Sequence, residues 1–263
     1  MKRITLVLLP LILLCGCVAQ GNITPTRNAA QAPTEDARIL DNPESGFFYD
    51  PSRYPIESND SSIACGPWYD NLNELDSNIQ DCPGRPGLGL AVIFEVAGKS
   101  TTRIIENDWD TSGTKIYGKD HTLTPVKILD VLYQGDKVSV KKGDVISVVE
   151  GYVLVTEAVK EQRSAYANQR LNTVRLNDCY EPLEQGRAYL AYLVMGDESL
   201  DEMYTYQGKL PAFSAYSSLS IYCLSDDQLS DAAAKDRNYA SLWQDARKKY
   251  IPRYEEILAA REK

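Results

Sequence analysis

Hydrophobic and polar positions divide the 263-residue chain into five parts with different patterns. An apolar run fills residues 4–14, and the polar residues 18–45 show no apolar periodicity. Residues 46–87 are rich in Pro, Asn and Asp, which predicts irregular structure. Short apolar stretches separated by glycine-bearing turns fill residues 88–224 and predict strands. Residues 226–263 carry apolar and aromatic side chains at steps of three or four, which predicts helix.

The strand region predicts a small β-barrel or sandwich, because its strands are short and joined by turns. Within residues 122–132, Val126, Ile128 and Leu132 cannot all face water, and Lys127 and Asp130 interrupt them. One face of this strand should therefore be buried and the other wet, with Asp130 as an exposed carboxylate without an identified partner. The predicted strands are 88–96, 101–106, 122–132, 145–149, 152–156, 189–194 and 219–224.

Three helical segments are predicted around these strands: residues 71–79, an insertion at about 156–171, and the C-terminal segment 226–263. In the last, Tyr239, Trp243 and Tyr250 recur at helical spacing and should pack against the barrel. Pro252 lacks an amide donor and should break or kink the helix near Tyr250.

Aromatic side chains recur in the irregular segment before the strands. They could line a site, but we expect them to form a satellite cluster that pins this segment to the core. They are Phe47, Phe48, Tyr49, Trp68 and Tyr69.

The first residues combine a basic start with the apolar run. Lys2 and Arg3 precede the run, and residues 14–17 read Leu-Cys-Gly-Cys. A charged start, an apolar stretch and a small residue at the cut are typical of a secretory signal. The run contains Pro10 and is shorter than the roughly 20 residues that span a bilayer core. A spanning helix is therefore not expected.

A cysteine directly after the small residue resembles the lipobox of bacterial lipoproteins. Cleavage before Cys15 would place Leu14 at the cut, so the resemblance implies that Cys17 carries the lipid anchor, palmitate included, and begins the mature chain. In the same family, Val18 in place of Asp implies the outer membrane where a cell has two membranes. The protein is thus expected to be extracytoplasmic and anchored to a bacterial membrane.

This resemblance also sets the expected domain organisation. Residues 1–16 form the signal peptide, and residues 17–45 form the lipidated cysteine and a disordered tether, since their Asn, Thr, Ala, Gln and Pro cannot bury a core. Residues 46–263 are long enough for one globular domain. The barrel occupies about 88–224 and the C-terminal helices about 226–263.

The charge of the chain excludes nucleic acid as an expected partner. The whole chain carries 28 basic and 37 acidic residues, a formal net charge of -9. Removing residues 1–16 removes two basic residues, so the mature chain has 28 − 2 = 26 basic residues and a balance of 26 − 37 = −11. Binding to a phosphate backbone needs a basic footprint, and the sequence has none.

Two segments of the strand region resemble a known barrel family. Residues 124–135 and 142–148 form a strand, a glycine turn, a Gly-Asp pair and a second strand, and residues 184–193 look like a later strand of the same pattern. The pattern resembles the OB-type or netrin-like barrels of exported bacterial proteins of unassigned function, and it implies no activity. The expected fold is therefore α+β, mainly β. It comprises a small OB-like barrel, an irregular N-terminal segment, one helical insertion and a C-terminal helical segment.

The cysteines that remain after lipidation and signal removal predict disulfides. An exported protein with an even number of cysteines can form two bridges in three connectivities. We favour Cys65 with Cys82, and Cys179 with Cys223.

Cys-x-x-Cys pairs are absent from the sequence, and His121 is its only histidine. A zinc site or a thioredoxin-like site is therefore not expected.

Catalytic residues do not emerge from the sequence. His121 lies beside a predicted strand, without a nucleophile-elbow motif, and is expected to be an ordinary turn residue. A pair of carboxylates for glycoside cleavage stays an open alternative, but nothing in the sequence selects a particular pair of Asp or Glu residues. The glycines of residues 84–89 precede a strand, whereas a phosphate-binding loop follows one.

Residues 108–113 give a weak calcium candidate. Asp108, Asp110 and Ser112 alternate and precede Gly113, as in the first half of a calcium loop. The position for the bidentate glutamate holds Lys119, so we expect an exposed turn with no metal and no cofactor.

Two functions remain open. The first is a membrane-anchored extracytoplasmic lipoprotein that acts as a non-catalytic binding module of the cell envelope, holding a protein, peptide or glycan. The alternative is a carboxylate-dependent envelope hydrolase acting on cell-wall glycans.

Overall fold

Nine strands and three α-helices make up the regular structure of the described residues. The computed structural model describes residues 46–57, 69–104, 120–162, 164–176, 182–196, 212–217, 219–229 and 237–261. All of them belong to one unit, Ala37–Lys263. The strands are β1 (Gly89–Val96), β2 (Thr101–Arg103), β3 (His121–Gln134), β4 (Val145–Glu150), β5 (Tyr152–Leu154), β6 (Val174–Leu176), β7 (Ala188–Met195), β8 (Ala212–Ala215) and β9 (Ile221–Cys223). The helices are α1 (Leu72–Asp81), α2 (Glu157–Gln162) and α3 (Arg237–Arg261).

Five strands close into a barrel. Strand β3 lies between β1 and β4 and pairs with both in antiparallel fashion. Strand β8 runs parallel to β4 and antiparallel to β7. The antiparallel pair between β7 and β1 closes the ring. The predicted fold class, mainly β with an OB-like barrel, is confirmed.

Two short strands, β6 and β8, were not predicted from the sequence. Strand β8 closes the barrel, and β6 pairs with β5 in a separate two-stranded sheet. The helical insertion predicted at 156–171 is present as α2 followed by the 3-10 turn Ser164–Tyr166.

Helix α1 forms where the sequence predicts it and packs against the barrel. The Asn71 side chain caps its start by accepting a hydrogen bond from the Glu74 amide at 3.1 Å. Leu72, Leu75 and Ile79 are buried on one side of the helix. This spacing of three and four residues gives the apolar stripe that the barrel covers.

Helix α3 continues through Pro252, so a break near Tyr250 is wrong, and the alternative of a kink there stays a prediction. Two arginines on the far side of the proline bind acidic side chains of the barrel strands. The Arg253 Nε donates to Asp130 Oδ2 at 2.7 Å, and the Arg261 guanidinium binds both Glu95 oxygens at 2.9 Å. The predicted packing of Tyr239, Trp243 and Tyr250 on the core is confirmed.

The same contact corrects the expectation for Asp130. Its side chain is 16% exposed and forms an ion pair with Arg253, so it is neither exposed nor without a partner. The partner lies more than 120 positions away in the sequence, which strand periodicity does not encode. Among the described helices, none combines the length and the apolar character that crossing a membrane requires.

The N-terminal aromatics form the expected satellite cluster. Phe47 and Tyr49 pack with Tyr152, Leu154 and Val174 beside the barrel. Tyr69 instead belongs to the main core and lies 6.3 Å from the Tyr216 ring. Trp68 lies outside the described residues. These packed rings therefore do not form an open aromatic surface.

Two glycine turns contact each other through their backbones. The Gly135 amide donates to the Gly89 carbonyl at 2.8 Å, and the Lys137 amide donates to the Gly87 carbonyl at 3.1 Å. A Cβ added at Gly135 would lie 2.2 Å from the Gly87 carbonyl oxygen. Gly87 and Gly89 thus serve close packing between the α1–β1 connection and the β3–β4 hairpin.

We expect Gly135→Ala to lower the free energy of unfolding by about 1 to 3 kcal/mol, because two backbone segments must separate. Gly196→Ala is the matched control, since its nearest neighbour would be the Ala212 carbonyl at 3.6 Å, an ordinary contact. Urea denaturation of both variants checks this. Equal stability of the two variants would contradict the assignment.

Candidate ligand-binding pocket

The described residues form a pocket between the turn at 182–187, strand β9 and the first half of helix α3. Its cavity volume is small, about 30 Å³. Its polar lining comprises Glu184, Arg187, Cys223, Asp226 and Gln228. Its apolar lining comprises Pro182, Tyr189, Ile221, Leu229, Tyr239 and Trp243.

Hydrogen bonds from α3 to β9 hold the floor of the pocket. The Tyr239 hydroxyl donates to the Ile221 carbonyl at 2.8 Å, and the Trp243 indole donates to the Cys223 carbonyl at 2.9 Å. The Arg247 guanidinium lies 4.9 Å from the centre of the Trp243 ring. These side chains are fixed by packing and by bonds to backbone, which gives the pocket a preorganised shape.

Arg187 lies between the carboxylates of Glu184 and Asp226, and these three side chains form the rim of the pocket. Arg187 Nη2 lies 3.0 Å from Glu184 Oε2, and Arg187 Nη1 binds Asp226 Oδ2. Burial opposes the charge of Arg187, but Glu184 and Asp226 outweigh it and raise the pKa of the guanidinium. Gly186 allows the turn that brings Glu184 and Arg187 together, with a φ of 81°.

Cys223 contributes a thiol rather than a thiolate. Burial, followed by the nearby Asp226 charge, raises its pKa to about 11. The thiolate is the reactive form of cysteine, so Cys223 is poorly suited to be a nucleophile near neutral pH. Burial also raises the pKa of Cys82, which is buried at the end of α1.

Within the described residues, Cys82 and Cys223 take part in no disulfide bond. Their predicted partners, Cys65 and Cys179, lie outside the described residues. The two predicted bridges therefore stay predictions.

The carboxyl group of Glu150 is buried beside the turn at 182–187 that lines the pocket. The Glu150 side chain is fully buried, and the register of β3 and β4 places it opposite Thr122. The Thr124 hydroxyl donates to Glu150 Oε1, and the Leu183 amide donates to Oε2 at 2.8 Å. Burial, which outweighs these two hydrogen bonds, raises the pKa of Glu150 to about 8. Leu183 lies between the pocket residues Pro182 and Glu184, so Glu150 supports the turn without facing the pocket.

The other residues singled out in the sequence do not meet at this pocket. His121 begins β3, is 3% exposed and pairs in register with Arg103 of β2, so the expectation of a turn histidine is wrong. Cys17 and the calcium candidates Asp108, Asp110 and Ser112 lie outside the described residues. Across the part of the chain that is described, no group of three His, Cys, Asp or Glu side chains could hold a metal ion.

Sequence reasoning did not find the pocket because its charged residues come from separate elements. Residues 184–193 stood out only as a strand pattern, and Arg187 lies 39 positions before Asp226. The run Glu-Gln-Gly-Arg at 184–187 does signal a turn, yet it does not reveal the partner that the turn faces.

Comparison with known proteins does not assign the chain to a family. The chain matches no protein-family model. A search of curated proteins finds no significant relative.

Proposed function

We propose that this protein is a lipid-anchored extracytoplasmic lipoprotein and a non-catalytic binding module of a bacterial envelope. The N-terminal sequence supports the anchor: Cys17 follows a signal-like segment and a small residue. In a cell with two membranes the outer membrane is its proposed location. The pocket beside α3 is the proposed binding site.

The observation that carries the binding role is the shared guanidinium at the pocket rim. Glu184 and Asp226 both bind Arg187. A glycosidase needs two carboxyl groups in different environments, one acting as an acid and the other as a base or nucleophile. Because these two carboxylates have the same partner, the pocket favours recognition over hydrolysis of cell-wall glycans.

Crosslinking in the native envelope tests the binding role. The tagged, lipidated protein is crosslinked in cells, and the captured material is identified by mass spectrometry. We expect one envelope protein or peptide to be enriched near stoichiometry and to be lost when residues 46–263 are deleted. Capture of no specific component would contradict the proposal and direct the search to hydrolytic activity.

The anchor gives a separate prediction. We expect Cys17→Ser to abolish incorporation of a labelled fatty acid and to release the protein from the membrane fraction, because the acylated thiol is removed. Cys15→Ser is the matched control and should keep both label and membrane association. Fractionation and metabolic labelling measure the outcome. Loss of label in Cys15→Ser alone would overturn the assignment of Cys17.

A further inference from the structure

We infer that residues 46–57, which we call the strap, can detach from the folded barrel, and that their detachment loosens the turn at 182–187. The strap is the described segment closest in sequence to Cys17, so a pull on the proposed lipid anchor would reach the strap before the barrel. The inference rests on the proposed function only in its consequence, because the loosened turn carries part of the rim of the proposed binding pocket.

The strap lies outside the main core of the protein. Its side chains Phe47 and Tyr49 are buried in the satellite cluster with Tyr152, and among the described residues the main core cluster contains none of the strap. The barrel ring closes through strand pairs that do not involve the strap. A segment outside the main core can open locally at a lower free energy than the core itself. The strap can therefore leave while the barrel stays folded.

Backbone hydrogen bonds fix the strap near its two ends. Phe47 and Ser100 exchange two hydrogen bonds, of 3.0 and 2.7 Å, next to strand β2. At the other end, the Val174 amide donates to the Pro55 carbonyl at 3.0 Å, and the Glu57 amide donates to the Val174 carbonyl at 3.0 Å. These pairings are isolated bridges rather than a continuous ladder. Breaking them is a small step compared with opening the barrel.

Tyr49 connects the strap to the turn directly. It forms a parallel β-bridge with Glu184, and its ring lies 6.2 Å from the Tyr152 ring. Glu184 is also the residue that pairs with Arg187 at the rim of the pocket. Departure of Tyr49 therefore removes a backbone neighbour from a residue that orders the rim.

A buried set of hydroxyl and carboxyl groups gives a second connection. The hydroxyl oxygens of Ser100 and Thr124 lie 2.7 Å apart and share a hydrogen bond. The Thr124 hydroxyl donates to Glu150, whose other oxygen accepts from the Leu183 amide at 2.8 Å. Because hydrogen-bonded networks carry coupling between sites, a shift of Ser100 reaches the turn through these groups. Leu183 is itself 1% exposed and belongs to the main core, so the turn loosens without unfolding.

Hydrogen exchange of the full-length protein in detergent micelles, measured by mass spectrometry at low urea concentrations, tests the inference. In the unsubstituted protein, we expect residues 46–57 and 182–187 to exchange through the same opening, at least about tenfold faster than strand β7. Exchange of residues 182–187 together with β7, and not with the strap, would overturn the inference. This measurement does not depend on the folding of any variant.

A tyrosine in each of two satellite clusters makes the test specific. We expect Tyr49→Ala to speed exchange of residues 182–187 by about tenfold, and that of strand β7 by less than about twofold. Tyr166→Ala is the matched control, because Tyr166 belongs to another satellite cluster and is 6% exposed, against 5% for Tyr49. It should change exchange of residues 182–187 by less than about twofold. An equal effect of both variants would overturn the inference, because general loss of stability would explain it.

The coupling and the proposed binding function can fail separately, because exchange is measured without a ligand. If Tyr49→Ala frees the strap but leaves exchange of residues 182–187 unchanged, the coupling is overturned and the binding function is untouched. Coupled exchange of the strap and the turn, with no partner captured by envelope crosslinking, would support the inference and contradict the proposed function.

Discussion

Replacing Glu150 with glutamine is expected to stabilise the protein above pH 8 and to change little at pH 5. The folded protein holds the pKa of Glu150 at about 8, against an ordinary value of 4.5, because the group is fully buried. At a pH between these two pKa values, the Glu150 carboxyl is deprotonated in the unfolded chain and protonated in the folded protein. The free energy of unfolding therefore falls as pH rises through this window, by on the order of 3 to 5 kcal/mol in total. Outside the window, Glu150 adds no further pH dependence.

Glutamine removes this cost without removing the hydrogen bonds. Its amide oxygen can accept from the Leu183 amide, and its amino group can donate to the Thr124 hydroxyl. We expect the stability difference between Glu150→Gln and the unsubstituted protein to grow from near zero at pH 5 to several kcal/mol at pH 8.5. Urea denaturation across this pH range measures it. Glu161→Gln, at an exposed position of α2, is the control and should show no such trend.

A difference that stays constant between pH 5 and pH 8.5 would count against the buried neutral carboxyl. It would mean that Glu150 ionises in the folded protein at the same pH as in the unfolded chain. Glu150→Ala gives a second measurement, because it leaves the Leu183 amide without its acceptor. We expect it to be destabilising at pH 5 and less so at pH 8.5, because it also removes the cost of the buried carboxyl.

Phe213→Ala is expected to lower the free energy of unfolding by about 3 to 5 kcal/mol. Phe213 lies in β8, is 1% exposed and pairs in register with Val148 of β4 and Met195 of β7. This short strand joins the two halves of the barrel sheet. Truncating its largest side chain leaves a cavity and weakens the contact that closes the ring.

Two controls separate closure from general loss of side-chain volume. Phe213→Leu keeps much of the volume and should cost less than half as much. Val145→Ala lies on the neighbouring strand β4 but is 37% exposed, and should cost less than about 1 kcal/mol. A small effect of Phe213→Ala in urea denaturation would show that β8 is dispensable for barrel closure.

Local patterns predicted much of the barrel, since four of its five strands follow from hydropathy and turns. Strands β1, β3, β4 and β7 are each six or more residues long and rich in apolar residues, which is enough for a strand pattern to be visible in the sequence. Strand β8 spans four residues and reads Ala-Phe-Ser-Ala, too short and too small to show a period. Its place in the sheet depends on pairing partners that are distant in sequence.

The candidate site was less predictable than the fold for the same reason. Glu150 reads as a polar end to a strand, yet it is fully buried because Leu183 and Thr124 cover it from other elements. Asp130 and His121 likewise differ from the sequence expectation through distant neighbours, Arg253 and Arg103. The exposure and the ion pairing of a side chain depend on its tertiary contacts, and the hydropathy pattern does not reveal those contacts.

The bonds from α3 to the carbonyls of Ile221 and Cys223 also bear on how the protein behaves at high concentration. Strand β9 pairs with β7 on one side, and its other side would present acceptors to any extended chain. The Tyr239 hydroxyl and the Trp243 indole occupy these two acceptors. A sheet edge covered in this way cannot add a strand from a neighbouring molecule. Helix α3 therefore protects this sheet edge against edge-to-edge association between copies of the protein.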